Sequence, residues 1–328
     1  MTLFKKWILI LIVAMGVTVG YIYWENSRVV VTEETIFIEE LPEEFEGFKI
    51  LQITDLHGKT FGSEQRRLVD TINELSYDAI VFTGDMLKDD TSTDYAPTYQ
   101  LLDGISNLDN ALFVTGNTDP NHFKPVSKRT AQKDDFIKGL VERGVKPLDS
   151  IYAISRGDST LYFTEFEISL LDPQEELTQL NDRTGTYHQD DMIDTDYLTE
   201  LFHDMTALEN MNRHDILISL YHYPLVDQRI DDYQQNPSVN WREYDLHIAG
   251  HYHGGQIRLP FVGALLVPEA YYDNYGLFPP QDRVMGLWEY GGVQQYVSTG
   301  LGASDPIKFL GFRFLNPPEI NLLTLSKK

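Results

Sequence analysis

The chain has 328 residues, 42% of them hydrophobic, enough for one large domain or two small ones. Its formal net charge of −24 argues against a nucleic-acid-binding surface, which needs clustered Lys and Arg. There is no cysteine, which excludes disulfides, iron–sulfur clusters, thiolate zinc sites and cysteine nucleophiles.

Lys5 and Lys6 precede the uncharged run WILILIVAMGVTVGYIYW (7–24), which Glu25 closes. As a helix this run spans roughly 27 Å, close to the ~30 Å hydrocarbon core of a bilayer. Trp7 and Trp24 at its ends, with Tyr21 and Tyr23, suit the two membrane interfaces. A cleavable signal peptide is the competing reading, but its small-residue site is poor, because Ala14-Met15-Gly16 lies inside the apolar run. An uncleaved single-pass anchor is therefore expected. The lysines place residues 1–6 in the cytoplasm, and the rest of the chain outside the membrane.

Residues 25–45 read as a juxtamembrane linker and edge hairpin, since RVVVTEETIFIEEL alternates apolar and polar residues. The acidic stretches EELPEEFEG (39–47) and HQDDMIDTD (188–196) read as solvated loops. From residue 46 to 328 no Gly/Ser- or Pro-rich linker interrupts the chain, so one domain is expected there. Leu68, Ile72 and Leu75 follow helical spacing, as do Leu198, Leu201, Phe202, Met205 and Leu208. Short β-rich runs alternating with such helices predict an α/β layered architecture.

The residue that ends each apolar run carries the chemistry. FKILQITDLHG ends in Asp55 and His57, AIVFTGD in Asp85 and ALFVTGN in Asn117. DILISLYHYP ends at His222, and DLHIAGH runs into His251 and His253. In α/β sheets ligands bind beyond the carboxyl ends of strands, so these seven side chains from five strand ends can surround one volume. Singly, Asp55-x-His57 reads as a surface loop, Gly84-Asp85 and Gly116-Asn117 as turns and His222 as a strand end, while His251-Tyr252-His253 reads equally as packing or as a metal site. His122, His188, His203, His214 and His247 are assigned to surface or packing.

The order Asp-x-His, Gly-Asp, Gly-Asn, a strand-terminal His and Gly-His-x-His-Gly-Gly resembles the calcineurin-like metallophosphoesterases. More narrowly it is similar to a bacterial membrane-associated phosphodiesterase subgroup. LPEEFEGFKILQITDLHG, GHYHGGQIRLPFVGALLVPEAYYDNYGLF and VSTGLGASDPIKFLGFRFLNPPEINLLTL carry the likeness beyond the motifs, over roughly residues 41–325. The resemblance implies a four-layer αββα sandwich of two mixed β-sheets, preceded here by the transmembrane helix. It also implies two metal ions at one rim: Asp55, His57 and His253 holding the first, Asn117, His222 and His251 the second, with Asp85 bridging both. Such mixed carboxylate and imidazole ligands suit two divalent transition metals, Mn, Fe or Zn, better than Ca or Mg. Two ions ~3.5–4 Å apart can share a hydroxide and clamp an in-line displacement at phosphorus. Gly254 and Gly255 would let the backbone turn tightly beside them.

One position departs from the family pattern. Thr118 stands where a histidine is expected to contact phosphate and protonate the leaving oxygen. General acid–base help is typically worth ~10²- to 10⁴-fold, and threonine cannot act as an acid near neutral pH. The expectation is thus a membrane-anchored binuclear phosphoesterase acting on phosphodiester or pyrophosphate bonds rather than simple monoesters. Its substrate would be a phosphorylated small molecule, a lipid head group or an envelope polymer. His122, five positions past Asn117, is a candidate replacement acid. The alternative is a metal-binding, weakly active or inactive envelope protein with a binding or scaffolding role.

Overall fold

The computed structural model describes residues 2–127, 130–186, 195–304 and 310–328, with only the backbone of 123–127, 130–132, 182–186 and 195. His188, most of the acidic stretch 188–196 and residues 305–309 lie outside the described residues.

Helix α1 (Leu3–Ser27) is long and apolar enough to cross a membrane, with none of its apolar window buried in the protein. It leads into β1 (Val30–Ile38), β2 (Lys49–Ile53), α2 (Arg66–Asn73), β3 (Ala79–Phe82), α3 (Ala96–Gly104) and β4 (Ala111–Phe113). Next come the hairpin β5 (Phe123–Ser127) and β6 (Thr130–Lys133), α4 (Asp135–Glu142) and β7 (Lys146–Pro147). β8 (Ile151–Arg156), β9 (Ser159–Glu165), α5 (Phe166–Ser169), α6 (Pro173–Thr186) and α7 (Thr195–Met205) follow. The last third holds β10 (Ile216–Leu220), α8 (Asp227–Gln235), β11 (Leu246–Ala249) and the small hairpin β12 (Arg258–Leu259) and β13 (Gly263–Ala264). It closes with β14 (Gly286–Tyr290), β15 (Val293–Val297) and β16 (Glu319–Lys327).

Two six-stranded mixed sheets form, in the orders β1-β16-β2-β3-β4-β7 and β14-β15-β11-β10-β9-β8. Along each central strand, alternate side chains face opposite ways, as strand geometry requires. Ile50, Val81, Leu112, Phe163, Ile218 and Ile248 meet between the sheets. Leu51, Ile53, Ile80 and Phe113 face outward and pack beneath Leu68, Ile72, Leu101, Phe136 and Leu140 of α2, α3 and α4. On the other flank Leu217 packs against Phe166 and Ile230 of α5 and α8. Helix, sheet, sheet and helix stack in the four layers the resemblance implies. Both expected amphipathic stripes are present: Leu68 and Ile72 are buried on α2, and Leu201, Phe202 and Met205 on α7.

The expected edge hairpin is instead one nine-residue strand, β1. Alternating residues alone cannot tell a hairpin from a single edge strand, and no turn residues break the run. Its partner is remote: β1 pairs in parallel with β16, Val30 opposite Glu319 and Ile38 opposite Lys327. The first sheet therefore begins at residue 30 rather than after residue 45.

A buried glutamine ties the sheets together just below the functional rim. Gln52 Nε2 donates to Thr83 Oγ1 and to the Ala249 carbonyl, both at 2.8 Å.

Candidate metal centre

The five predicted strand ends lie at one rim, because β2, β3 and β4 run parallel in one sheet and β10 and β11 in the other. Beyond β2 and β3 the backbone keeps pairing: Asp55 N–H donates to the Gly84 carbonyl, and His57 N–H to that of Asp85, each at 2.9 Å. The turns that follow are severe. Asp55, His57, Asp85, His251 and His253 all have φ between 48° and 68°. Non-glycine residues there are uncommon and typically cost ~1–3 kcal/mol each, so such conformations persist only where surrounding structure enforces them. Glycines make the close approach possible. Gly84 has φ 90°, and a Cβ there would sit 2.5 Å from Gly116 N and 2.8 Å from His222 Nδ1. Gly254 and Gly255 also have positive φ, as the sequence implies.

Six of the seven sequence-predicted side chains fall into two groups, Asp55–His57–His253 and Asp85–His222–His251. In the first, His57 Nε2 and His253 Nε2 are 3.2 Å apart, and His253 Nε2 is 3.4 Å from Asp55 Oδ1. In the second, His222 Nε2 and His251 Nδ1 are 3.1 Å apart. Asp85 Oδ2 stands between them, 3.4 Å from His57 Nε2 and 3.3 Å from His222 Nε2. Asn117 is the seventh. It follows Gly116, whose backbone packs against Asp85, but its exposed carboxamide makes no hydrogen bond among the described residues.

The donor set fits divalent metals. His222 Nδ1 lies 2.8 Å from the Thr83 carbonyl, so one proton belongs there and Nε2 is the nitrogen that faces the group. His251 is fixed the other way round: it is hydrogen-bonded to the Pro268 carbonyl and turns Nδ1 inward. Burial and the neighbouring His222 push the His251 imidazole down to about 3, and burial holds His253 well below the ordinary value. Both are thus neutral near pH 7, as metal ligation requires. Burial also favours a neutral Asp85, but the His222 and His57 imidazoles outweigh it and keep the carboxyl below the usual range. For His222, burial opposes the charge while Asp85 and Asp55 favour it, and the balance lies at about 9. Burial pushes the Asp55 carboxyl up, so two nearly inaccessible acids face imidazole nitrogens, a donor set that bound cations would compensate.

Thr118 is held by the same loop. Its N–H donates to Asp85 Oδ1 at 2.8 Å and its hydroxyl to the Leu87 carbonyl at 2.9 Å, so the hydroxyl proton is engaged with backbone. His122 is not beside the groups: it pairs with Asp149 and packs on Phe113. The remaining described histidines match their assignment. His203 and His214 are exposed, while buried His247 lies against Ser219 Oγ and the Tyr223 carbonyl.

Residues 48–255, more than half the chain, match the calcineurin-like phosphoesterase family. The chain belongs to that family. An uncharacterised metallophosphoesterase of Bacillus subtilis, YkuE, is 28% identical over 309 residues, 93% of this chain and 88% of its own. A zebrafish transmembrane protein with a metallophosphoesterase domain is 27% identical over 152 residues, 46% of this chain and 33% of its own. Phosphopantetheinyl hydrolase from Mycobacterium tuberculosis aligns at a TM-score of 0.39 and 14% identity, over 78% of this chain and 90% of its own. That likeness is too loose to bear on function.

Three supports of this calcineurin-like site carry no motif. Buried Asp119 accepts from Met86 N, Leu87 N and Gly116 N, lacing the β3 and β4 loops together. Arg313, fully buried, donates to the carbonyls of Thr299 and Gly302 at 2.6 Å, Asn316 at 2.9 Å and His253 at 3.3 Å. Asn316 Nδ2 donates to the same His253 carbonyl at 2.6 Å. The faint sequence signal for Arg313 is a lone charge inside the apolar run FLGFRFL.

Proposed function

We propose that the chain is a membrane-anchored, two-metal phosphoesterase that hydrolyses phosphodiester or pyrophosphate bonds, its domain on the extracytoplasmic side. One observation carries the metal count: Asp85 Oδ2 is nearly equidistant from an imidazole of each donor group. On this reading Asp55, His57 and His253 hold one ion, and His222, His251 and Asn117 the other, with Asp85 shared. Divalent Mn, Fe or Zn bound there would supply an activated water and positive charge for in-line displacement at phosphorus.

The chain's own residues set the limits of that chemistry. The Thr83 and Pro268 carbonyls aim Nε2 of His222 and Nδ1 of His251 inward, and the proton that Asp85 and Asp55 favour on His222 is the one an ion at Nε2 would displace. Thr118 N–H orients the bridging carboxylate, and its engaged hydroxyl leaves the leaving group without an acid at that position. Bonds whose leaving groups need little protonation are favoured, which supports diesters and pyrophosphates over monoesters. The apolar α1 and the transmembrane relative support the anchor.

The test uses the full chain in detergent, stripped of metal and then given Mn²⁺, Zn²⁺ or Fe²⁺. Hydrolysis of an activated aryl phosphodiester is followed beside its monoester. Metal-dependent turnover of the diester is expected. Stoichiometric metal binding without turnover of either ester would instead favour a metal-binding envelope protein, the reading that the engaged Thr118 hydroxyl keeps in view.

A further inference from the structure

The first sheet decides which way the anchor enters the domain. β16 is antiparallel to β2, with Asn321 opposite Gln52, so β16 begins at the rim where β2 ends. β1 is parallel to β16, with Val30 opposite Glu319, so β1 also begins at that rim. Helix α1 ends at Ser27, only a few residues earlier, and its last turn is docked rather than dangling. Buried Glu25 accepts from Leu315 N and Tyr21 OH, while Asn26 brackets the Arg313 backbone with bonds of 2.9 and 2.8 Å. Arg313 in turn holds the His253 carbonyl. The apolar helix therefore leaves the domain beside the metal-ligand loop.

An apolar rim continues from that point. Arg258 N donates to the Phe314 carbonyl, and the β12–β13 hairpin rises from there with Phe261 fully exposed at its tip beside exposed Val262. Leu266 and Leu277 pair behind it, and Tyr275 and Phe278 are 80% and 64% exposed. Arg28 lies over the Trp24 ring, Arg67 donates to the Ser27 carbonyl and Arg258 to that of Gly254. In a chain of net charge −24, these arginines border the anchor, while the only charged residues from Leu259 to Phe278 are Glu269 and Asp273, so the segment itself would meet a bilayer through its apolar side chains.

We propose that this rim rests on the bilayer that holds α1. The segment from Leu259 to Phe278 sits in the lipid interface, and the metal centre takes amphiphilic phosphoesters presented at that surface. Exposed aromatic and aliphatic residues beside cations are the composition that binds such an interface. The proposal rests on reading α1 as an anchor and the site as a phosphoesterase.

The absence of cysteine allows a clean test. Phe261→Cys, Phe278→Cys and Val141→Cys are each made in the full chain, labelled with an environment-sensitive fluorophore and reconstituted into phosphatidylcholine–phosphatidylglycerol vesicles carrying a nitroxide phospholipid. Val141 is exposed near the end of α4, which leads back to the start of β7 at the far end of the sheet. Quenching at 261 and 278 but not at 141 is the expected result. Protein that floats with the vesicles but is unquenched at 261 and 278, or equally quenched at 141, overturns this orientation and leaves the anchor intact. Protein that stays in the aqueous fraction overturns both. Hydrolysis of the soluble aryl diester by the same samples reports separately on the phosphoesterase reading. In unlabelled protein, Phe261→Asp with Phe278→Asp is expected to lower hydrolysis of a vesicle-borne phosphodiester by roughly tenfold or more, with the soluble ester unchanged. Equal loss on both esters would refute the lipid-facing role.

Discussion

Replacing Arg313 with methionine tests whether the metal-ligand loop is held from behind. The guanidinium donates to four backbone carbonyls and is fully buried, and burial pushes it down to about 10 against the pull of Glu319, Asp55 and Glu25. Methionine fills much of the volume but satisfies none of the carbonyls. The His253 carbonyl keeps Asn316 Nδ2, leaving those of Thr299, Gly302 and Asn316 without this donor. Each orphaned acceptor costs about 1–3 kcal/mol. Against this, removing a charge that makes no ion pair among the described residues recovers several kcal/mol of desolvation. The balance is a destabilisation of about 2–5 kcal/mol, or a fall in Tm of roughly 5–10 °C for a domain of this size. Loosening the turn that carries His253 should also weaken metal binding by about 10- to 100-fold. Calorimetry of the metal-free and Mn²⁺-loaded full chain reads both effects, and Arg313→Lys should fall between the two. A methionine variant with wild-type Tm and metal affinity would refute the supporting role.

Asp85→Asn withdraws the charge shared by the two donor groups, so metal stoichiometry by equilibrium dialysis should fall below two and turnover by at least ~10²-fold; full retention of both would sink the bridging assignment. Thr118→His restores an acid beside Asp85 and should raise turnover of esters with poor leaving groups by up to ~10²-fold or more, with little change for activated esters. An equal effect on both would show that leaving-group protonation is not what Thr118 limits. Glu165 gives a pH dependence: burial raises its carboxyl from 4.5 to about 7, so the folded state holds a proton that the unfolded state has lost. Stability from this group is full below about 4.5 and declines as pH rises through about 7, by ~1–2 kcal/mol after allowance for its partial exposure. Glu165→Gln keeps an acceptor for Ile168 N–H and should gain on the wild type between pH 5 and pH 8 in thermal unfolding. A difference in Tm independent of pH would count against it.

The strand ends were legible because a buried β-run must stop where a carboxylate or imidazole begins, and that contrast is written in residue type. The grouping of Asp55 with His57 and His253, remote in sequence, followed from the family likeness and is reproduced by the geometry. What stayed hidden depends on three-dimensional closure. The left-handed conformations at Asp55, His57, Asp85, His251 and His253 fall on non-glycine residues, where residue type does not announce them. Arg313 reads as a stray charge until four carbonyls surround it. Asp119, next to Thr118, gives no sequence sign of the two loops it fastens. β1 could not be paired from its alternation alone, because its partner lies at the opposite end of the chain.

That pairing also fixes an order of assembly. β16 lies between β1 and β2, so the first strand has no neighbour in its sheet until the last strand has been made. During synthesis α1 emerges first, and β1 must then wait, its edge unpaired, while nearly the whole chain is still to come. Contacts so distant in sequence form late and slow folding. The adjacent carboxylates of Glu33 and Glu34 within β1 are therefore a safeguard for the nascent protein, discouraging a waiting strand from pairing with a neighbouring chain. Truncation before Glu319 would remove β16 whole and leave β1 without the strand it pairs with, even though all the preceding strands had been made.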